Sequence, residues 1–266
     1  MSHDSRLDAV RQLSRQLRRL ETRSATDATK FVSTGISALD QLLPGGGITR
    51  GSLIEWLATS AGSGAATLAF LVASRRLQPD GTLVVIDPQR RFYPPAAAAL
   101  GIALERTVVV QPSNDKDTLW SLEQSLRCPG VAVSICHFNH HLDQMDSRAF
   151  RRLQLAVETG NGFGFLLRSA RFCHQSSWAD VRFRVKGLAR QAPGSQRTKG
   201  RLAASGSQLS TLDSQLYERY LQLELLRCRN NSDRKAILIG IDDETGVVRL
   251  VSKLAPATRL PRAARA

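Results

Sequence analysis

The sequence predicts an α/β protein in which a mostly parallel sheet is flanked by helices. Its strands are continuous apolar runs, whereas a strand with one solvated face would alternate apolar and polar residues. These runs alternate with helical segments, which is the element order of a parallel sheet covered on both faces. The apolar runs are GSLIEWL (51–57), GTLVVID (81–87), RTVVVQP (106–112), GVAVSICHF (130–138) and GFGFLLRS (162–169).

The first part of the chain combines a predicted helix with a glycine-rich turn. In residues 5–22, four leucines and a valine recur at three- and four-residue steps with arginines between them, which indicates an amphipathic helix. Such a helix serves either to pack against its own core or to bind a partner. The PGGG run at 44–47 then marks a turn before the first strand of the core.

Three helices are predicted between the central strands. YPPAAAALGI (93–102) begins with prolines, which fit the first turn of a helix, and ends near Gly101. DKDTLWSLEQSLR (115–127) is the second helix. DSRAFRRLQLAVETG (146–160) is the third, and an Asp or Ser at its start can accept hydrogen bonds from the first free N–H groups.

The pattern changes after residue 178. ADVRFRVKGL (179–188) alternates apolar and basic residues, as an edge strand or an antiparallel strand does. Residues 187–212 are rich in Gly, Ser, Gln and Arg, and we expect them to form a flexible basic loop. AILIGID (236–242) and GVVRLVSKL (246–254) are joined through the turn residues DETG, so we expect an antiparallel hairpin.

Positive charge is concentrated in two segments. The chain has 37 Lys and Arg against 23 Asp and Glu, a net charge of +14. Residues 181–201 contain seven basic residues and residues 253–266 contain four, and neither segment contains an acid. Such segments bind polyanions with release of counterions, although basic runs can also be solvated surface. The candidate nucleic-acid contacts are Arg190, Arg197, Lys199 and Arg201.

Composition excludes several other classes of protein. No apolar run reaches the roughly 18 residues that a membrane helix needs, and the first 20 residues hold no apolar signal-peptide segment. The four cysteines are scattered, which argues against a zinc site or a disulfide framework. We therefore expect a cytoplasmic protein with reduced thiols. Its predicted parts are an N-terminal helix and linker at 1–30, a core at 31–254 and a basic tail at 255–266.

A histidine-rich stretch follows the strand at 130–138. His137, His140 and His141 lie near Asp143 and Cys136 in the sequence, and these are residue types that bind metals. Polar residues after the carboxyl end of a strand are commonly solvated loop, and we assign no metal site to them. No cofactor is expected elsewhere, since no supported pair of nucleophile and base is present.

Residues 55–74 have the layout of a phosphate-binding P-loop, which is a strand, a glycine-bearing loop and a helix. A working P-loop uses a Lys to neutralise phosphate and a Ser or Thr hydroxyl to hold Mg²⁺. If Gly64 is the last glycine of the motif, Ala65 and Ala66 take those two places, and Thr67 comes one residue late. The degenerate loop consists of Gly62, Ser63, Gly64, Ala65, Ala66 and Thr67.

The order of these elements resembles the RecA-like ATPase core. FVSTGISALDQLLPGGGITRGSLIEW (31–56) is similar to the segment that leads into the first core strand of that superfamily. More narrowly, the chain resembles the ImuA-type proteins, which are RecA-like accessory factors of bacterial damage-induced mutagenesis and are sometimes called SulA-like. That likeness is carried by LPGGGITRGSLIEW, YPPAAAALGI, TLWSLEQSLR, RRLQLAVETG and LELLRCRN, in this order between Phe31 and Leu254.

The resemblance identifies two further positions of the hydrolytic site. RecA-like enzymes place a catalytic Glu in a D-x-E phrase after the second strand, and here Asp87 is followed by Pro88 and Gln89. They also end a later strand in a metal-binding Asp, yet residues 131–141 contain no acid. The Lys, the hydroxyl, the base and the metal carboxylate are thus all missing at the expected places. We infer that the protein is not an ATPase and carries only the fold of one.

The resemblance implies an accessory role in the SOS response, DNA repair and translesion synthesis. It implies a Y-family-like polymerase homologue, an error-prone replicative-type polymerase and RecA itself as partners, with weak nonspecific DNA binding. Two alternatives remain open at this point. One is an active DNA-dependent ATPase of the recombinase class, and the other is a SulA-like inhibitor of cell division that would need no DNA affinity.

Overall fold

The computed structural model describes six stretches of the chain, namely residues 31–77, 81–138, 146–188, 218–229, 234–242 and 245–254. The helix predicted at 5–22 and the tail at 255–266 lie outside them, as do residues 189–212 of the predicted basic loop. Among the described residues, no helix is long and apolar enough to cross a membrane.

Eleven strands and five α-helices lie in the described stretches. The strands are β1 (Phe31–Val32), β2 (Ile48–Thr49), β3 (Ser52–Ala58), β4 (Thr82–Ile86), β5 (Thr107–Val110), β6 (Val131–His137), β7 (Phe163–Ser169), β8 (Val181–Gly187), β9 (Glu218–Cys228), β10 (Lys235–Asp242) and β11 (Val248–Leu254). The helices are α1 (Ser37–Asp40), α2 (Ala65–Arg76), α3 (Pro94–Ala99), α4 (Asp115–Arg127) and α5 (Ser147–Gly160).

Local signals in the sequence account for the helix ends. The side chain of Asn114 accepts a hydrogen bond from the Asp117 N–H at 2.9 Å and so begins α4. Asp146 does the same for α5 by accepting from the Ala149 N–H at 2.7 Å, as its place in the sequence predicted. The α3 helix begins with two prolines, whose missing N–H groups would have no partner in a first turn anyway.

Nine strands form one mixed sheet in the order β11-β10-β9-β8-β3-β7-β6-β4-β5. The six strands from β8 to β5 run parallel to their neighbours. The last three strands extend the sheet with antiparallel pairing, and β10 and β11 form the predicted hairpin. The fold class predicted from the apolar runs is therefore confirmed.

Helices cover both faces of the parallel part of the sheet. Ile54 and Trp56 of β3 pack in one core with α1, α2 and α3, whereas Leu53 packs in a second core with α4 and α5. Because successive strand residues point to opposite faces, a strand buried on both sides must be apolar throughout. This explains why β3, β4, β6 and β7 were recognisable as apolar runs. The apolar run of β5 lies at the edge of the sheet, where Val108 and Val109 are exposed, so burial on both faces does not account for it.

Of the two alternatives predicted for β8, the antiparallel strand is confirmed, because β8 pairs antiparallel with β9. Its other side pairs parallel with β3, so it is not an edge strand. Two of its alternating basic residues are paired with buried acids. Arg182 contacts Glu55 of β3, and Arg184 contacts Glu224 of β9.

A buried ionic cluster joins β3, β7 and β8. The Glu55 carboxylate, which is fully buried, accepts hydrogen bonds from Arg168 Nη1 at 2.8 Å, from Arg182 Nε at 2.5 Å and from Ser177 Oγ at 2.9 Å. The Arg182 guanidinium also donates to the carbonyl oxygens of Cys173 and Gln175 at 3.2 and 3.0 Å. The cluster thus holds the segment between β7 and β8 against the sheet through hydrogen bonds.

Candidate functional site

The carboxyl end of β3 leads into the loop that sequence analysis singled out. Residues 59–64 connect Ala58 of β3 to the start of α2, and the Ser63 N–H donates to the Ser60 carbonyl at 3.2 Å within this turn. Gly62 and Gly64 have φ values of 73° and 85°, a left-handed conformation that side chains disfavour. The strand, the glycine loop and the helix thus have the arrangement that the sequence predicted.

The six residues of the degenerate loop are contiguous in space, yet they differ in exposure. Gly62 is exposed, whereas Ser63 and Ala65 are buried, with exposed fractions of 2% and 3%. Ala66 and Thr67 are half-buried in the first turn of α2. The Ala65 methyl group belongs to the core around α2. The helix begins with a small apolar side chain at the position where a P-loop carries its Lys.

Two strands, β7 and β6, separate β4 from the strand β3 that leads into the loop. Asp87 follows β4 and is fully buried, and its Oδ2 accepts a hydrogen bond from the Phe92 N–H at 2.7 Å. Its Oδ1 is buried with no hydrogen-bond partner among the described residues. The half-buried Gln89 comes two residues later, in the turn between β4 and α3.

The carboxyl end of β6 places His137 beside Asp87. Ile86 is paired with Cys136 in the sheet register, so the next residues of the two strands are also neighbours. Burial lowers the pKa of His137, and this effect is partly opposed by the Asp87 carboxylate. His137 Nε2 is buried with no hydrogen-bond partner among the described residues.

The histidine-rich stretch forms no metal site among the described residues. Cys136 packs in the core with α4 and α5, whereas the His137 ring lies 6.4 Å from the Phe70 ring on the other face. Burial also raises the pKa of the Cys136 thiol far above its usual range, which keeps it protonated. His140, His141 and Asp143 lie outside the described residues.

The predicted nucleic-acid contacts also lie outside the described residues. Arg190, Arg197, Lys199 and Arg201 belong to the segment that leaves β8 after Leu188 and returns at the start of β9. The two ends of this segment are adjacent, because Gly187 is paired with Leu221 in the antiparallel register of β8 and β9.

Sequence analysis missed the ionic cluster around Glu55. A signal for it was present, because Glu55 and Arg168 are single charged residues inside otherwise apolar strands. A charge at such a position is expected to have a buried partner. The partner itself was not visible, because it belongs to a strand more than a hundred residues away.

The chain is similar in sequence to two groups of known proteins. The RecA N-terminal domain family matches residues 11–138. The protein ImuA of two Caulobacter vibrioides strains is 31% identical over 237 residues, which is 85% of this chain and 91% of that protein.

RecA proteins align with a shorter part of the chain. RecA of Rhodopirellula baltica is 34% identical over 104 residues, which cover 39% of this chain and 28% of that RecA. RecA of Deinococcus radiodurans is 33% identical over 106 residues, which cover 40% of this chain and 29% of that RecA. The likeness to RecA is therefore local, whereas the likeness to ImuA spans nearly the whole of both chains. The chain belongs to the ImuA family of RecA-like accessory proteins of bacterial damage-induced mutagenesis.

Proposed function

We propose that this protein is a non-catalytic accessory factor of DNA-damage tolerance that acts in the bacterial cytoplasm during error-prone translesion synthesis. The observation that carries the proposal is the start of α2, where the Ala65 methyl group packs into the core in place of a phosphate-binding Lys. A RecA-like core with this loop supplies binding surfaces for other proteins and for DNA without turning over nucleotide.

The residues at the carboxyl ends of the other parallel strands support the same proposal. Hydrolysis needs a hydroxyl for Mg²⁺, a base for the attacking water and a carboxylate on the metal. Ala66, Gln89 and His137 occupy the regions where those groups are expected, and none of them is a carboxylate. Asp87 is an acid at this edge, but it takes the first position of the D-x-E phrase, and the position of the catalytic Glu holds Gln89. A neutral amide such as Gln89 can orient water and cannot remove its proton.

We expect no measurable ATP hydrolysis by the purified protein, with or without single-stranded DNA. The physical reason is that no cation from the loop neutralises the charge that develops on the transferred phosphoryl group. Phosphate release would be measured beside an active RecA as the positive control. Turnover above about 0.01 per second, against the 1 per second or more that enzymes typically reach, would contradict the proposal. The turnover counts against the proposal if it is lost when Ser63 and Thr67 are both changed to Ala, because the activity then belongs to this loop.

We further propose that the partners are a Y-family-like polymerase homologue, an error-prone replicative-type polymerase and RecA. Membership of the ImuA family supports this assignment. A pull-down with the tagged protein from DNA-damaged cells is expected to recover the polymerase homologue. Recovery of the cell-division GTPase in its place would favour a SulA-like inhibitor and would contradict the proposal.

The helix predicted at 5–22 is expected to pack on its own core. Changing Leu13 and Leu17 together to Asp places two charges in its apolar stripe, where they would be buried without partners. We expect a loss of about 2 kcal/mol or more, which lowers the melting temperature by about 4–8 °C for a domain of this size. A thermal melt run beside the pull-down is the measurement.

Two nearby arginines provide the control for this prediction. Arg15 and Arg18 lie off the apolar stripe, so changing both to Gln is expected to leave the melting temperature within about 2 °C, since surface changes cost little. If the Asp variant keeps its melting temperature and loses the polymerase homologue, the stripe binds the partner and the prediction of packing on the core is wrong.

A further inference from the structure

The antiparallel half of the sheet has one face without helix cover. The core formed with α4 and α5 contains no residue of β8, β9, β10 or β11, so in the described part of the chain those helices cover only the parallel half. On this face, β8 presents Arg184 and Lys186, and β9 presents Gln222 and Glu224 directly opposite them. Polar and charged side chains therefore replace the apolar contacts that cover the rest of the sheet.

A pocket of about 340 Å³ lies on this uncovered face. Its lining consists of Thr59, Arg184, Lys186, Gln222 and Glu224. Thr59 enters the pocket from the carboxyl end of β3, where its N–H donates to the Val185 carbonyl at 3.1 Å. The described lining thus comes from β8, β9 and the residue that follows β3, and no apolar side chain is among these described residues.

The pocket is rich in hydrogen-bond donors that the protein itself does not use. Among the described residues, the Lys186 ammonium, the Gln222 amide and the Thr59 hydroxyl make no hydrogen bond or ion pair. Lys186 is exposed, so its ammonium pairs with water in the free protein. An ammonium, an amide and a hydroxyl are the side-chain groups that most often contact phosphate oxygens in protein–DNA complexes, together with guanidinium.

Glu224 orients the guanidinium of the pocket and does not cancel its charge. Its carboxylate is 1% exposed, Oε2 accepts from Arg184 Nη2, and Oε1 lies 3.9 Å from Arg234 Nη1. Among the described residues, the pocket lining carries two cations, Arg184 and Lys186, and one carboxylate, so its net charge is +1. The Arg184 guanidinium has five N–H donors and gives one to Glu224, which leaves others for an anion. The site is therefore both positively charged and preorganised.

We propose that this pocket binds a backbone phosphate of single-stranded DNA. This inference rests on the proposed function, and it names a contact surface in the described part of the basic segment 181–201, apart from the four candidate contacts Arg190, Arg197, Lys199 and Arg201. A protein partner is the less favoured occupant, because protein interfaces centre on buried apolar and aromatic side chains and the pocket has none. The net charge of +14 adds a long-range attraction for a polyanion.

The test measures binding of a fluorescently labelled oligothymidylate by anisotropy at several salt concentrations. The variant Lys186→Gln removes one phosphate contact, so the slope of log K against log salt should become shallower by about 0.7, and binding near 0.1 M salt should weaken about fivefold. Gln222→Glu places a carboxylate in the pocket and should weaken binding at least as much. Both positions lie at the solvent-facing surface and leave the Arg184–Glu224 pair intact, so the variants should fold, which thermal melts would verify.

Lys116→Gln is the matched control, since it makes the same charge change on α4, which lies over the opposite half of the sheet. It should keep the slope and stay within about twofold of the unchanged protein. Equal effects of Lys116→Gln and Lys186→Gln would overturn the assignment of DNA binding to the pocket, because the binding would then come from the overall charge. A wild-type protein that binds no DNA at about 100 µM, where nonspecific binders are at least partly bound, would also overturn it. That result would not change the outcome of the partner pull-down, so a failure of the pocket proposal can be distinguished from a failure of the proposed function.

Competitors separate DNA from other anions. The competitors are compared at equal concentrations of negative charge. Inorganic phosphate, ATP and a poly-glutamate peptide should displace the labelled oligonucleotide only at charge concentrations far above that needed with unlabelled oligothymidylate. Displacement by ATP or phosphate at equal charge concentration would assign the pocket to a free phosphoryl group and overturn the DNA assignment. Displacement by poly-glutamate at equal charge concentration would overturn it in favour of an acidic protein partner.

Discussion

Replacing Glu55 by Gln is expected to lower the free energy of unfolding by about 3–5 kcal/mol, which is the usual cost of removing one partner from a buried ion pair. The Glu55 carboxylate is fully buried and pairs with Arg168 and Arg182, which are 2% and 5% exposed. The amide of Gln has no charge, so both guanidinium groups would lose their buried ion pair with residue 55. Chemical denaturation of the two proteins gives the difference directly.

A second acid provides the control for this experiment. Glu105 is exposed in the short turn before β5, and Glu105→Gln is expected to change the stability by no more than about 0.5 kcal/mol. A loss below about 1 kcal/mol for Glu55→Gln would show that the guanidinium groups find other partners or water. The stabilising role assigned to the cluster would then be wrong.

The Glu55 cluster also explains where prediction from sequence succeeded and where it failed. The strands β3, β4, β6 and β7 were recognisable because each packs in both cores and is apolar along most of its length. The strand β8 was harder to place, because its basic residues Arg182 and Arg184 pair with the buried acids Glu55 and Glu224 of the two neighbouring strands, whereas Lys186 is exposed. The pairing of a charged residue in one strand with an opposite charge in another depends on residues that are distant in the sequence. A local sequence pattern therefore cannot predict it.

The two candidate sites also differ in how far the sequence could predict them. The glycine loop was predictable, since the left-handed φ of Gly62 and Gly64 is a local property that glycine satisfies best. The pocket on β8 and β9 was not, because Lys186 faces Gln222 only through a register set across the long segment between the two strands. The sequence shows which charges are present, and pairing between distant strands decides which of them meet.

Replacing Gly64 by Ala is expected to cost about 2–4 kcal/mol. Part of this cost, about 1–2 kcal/mol, is the left-handed backbone with φ of 85°, which an alanine adopts only with strain. The rest comes from packing, because a Cβ at this position would lie 2.5 Å from Leu221 Cδ1 and 2.8 Å from its Cδ2. Leu221 is 2% exposed and cannot move aside into solvent, so the core would have to shift.

Gly62 separates the two causes, since it has a similar φ of 73° but open space where a Cβ would be. Gly62→Ala should therefore show the backbone cost alone, and the difference between the two variants measures the contact with Leu221. In a double-mutant cycle, Leu221→Ala should recover part of the loss in the Gly64→Ala background. Equal losses at both glycines with no recovery would contradict this account. If the recovery is seen, Gly64 is required for packing the loop against β9, and its presence here does not depend on a bound phosphate.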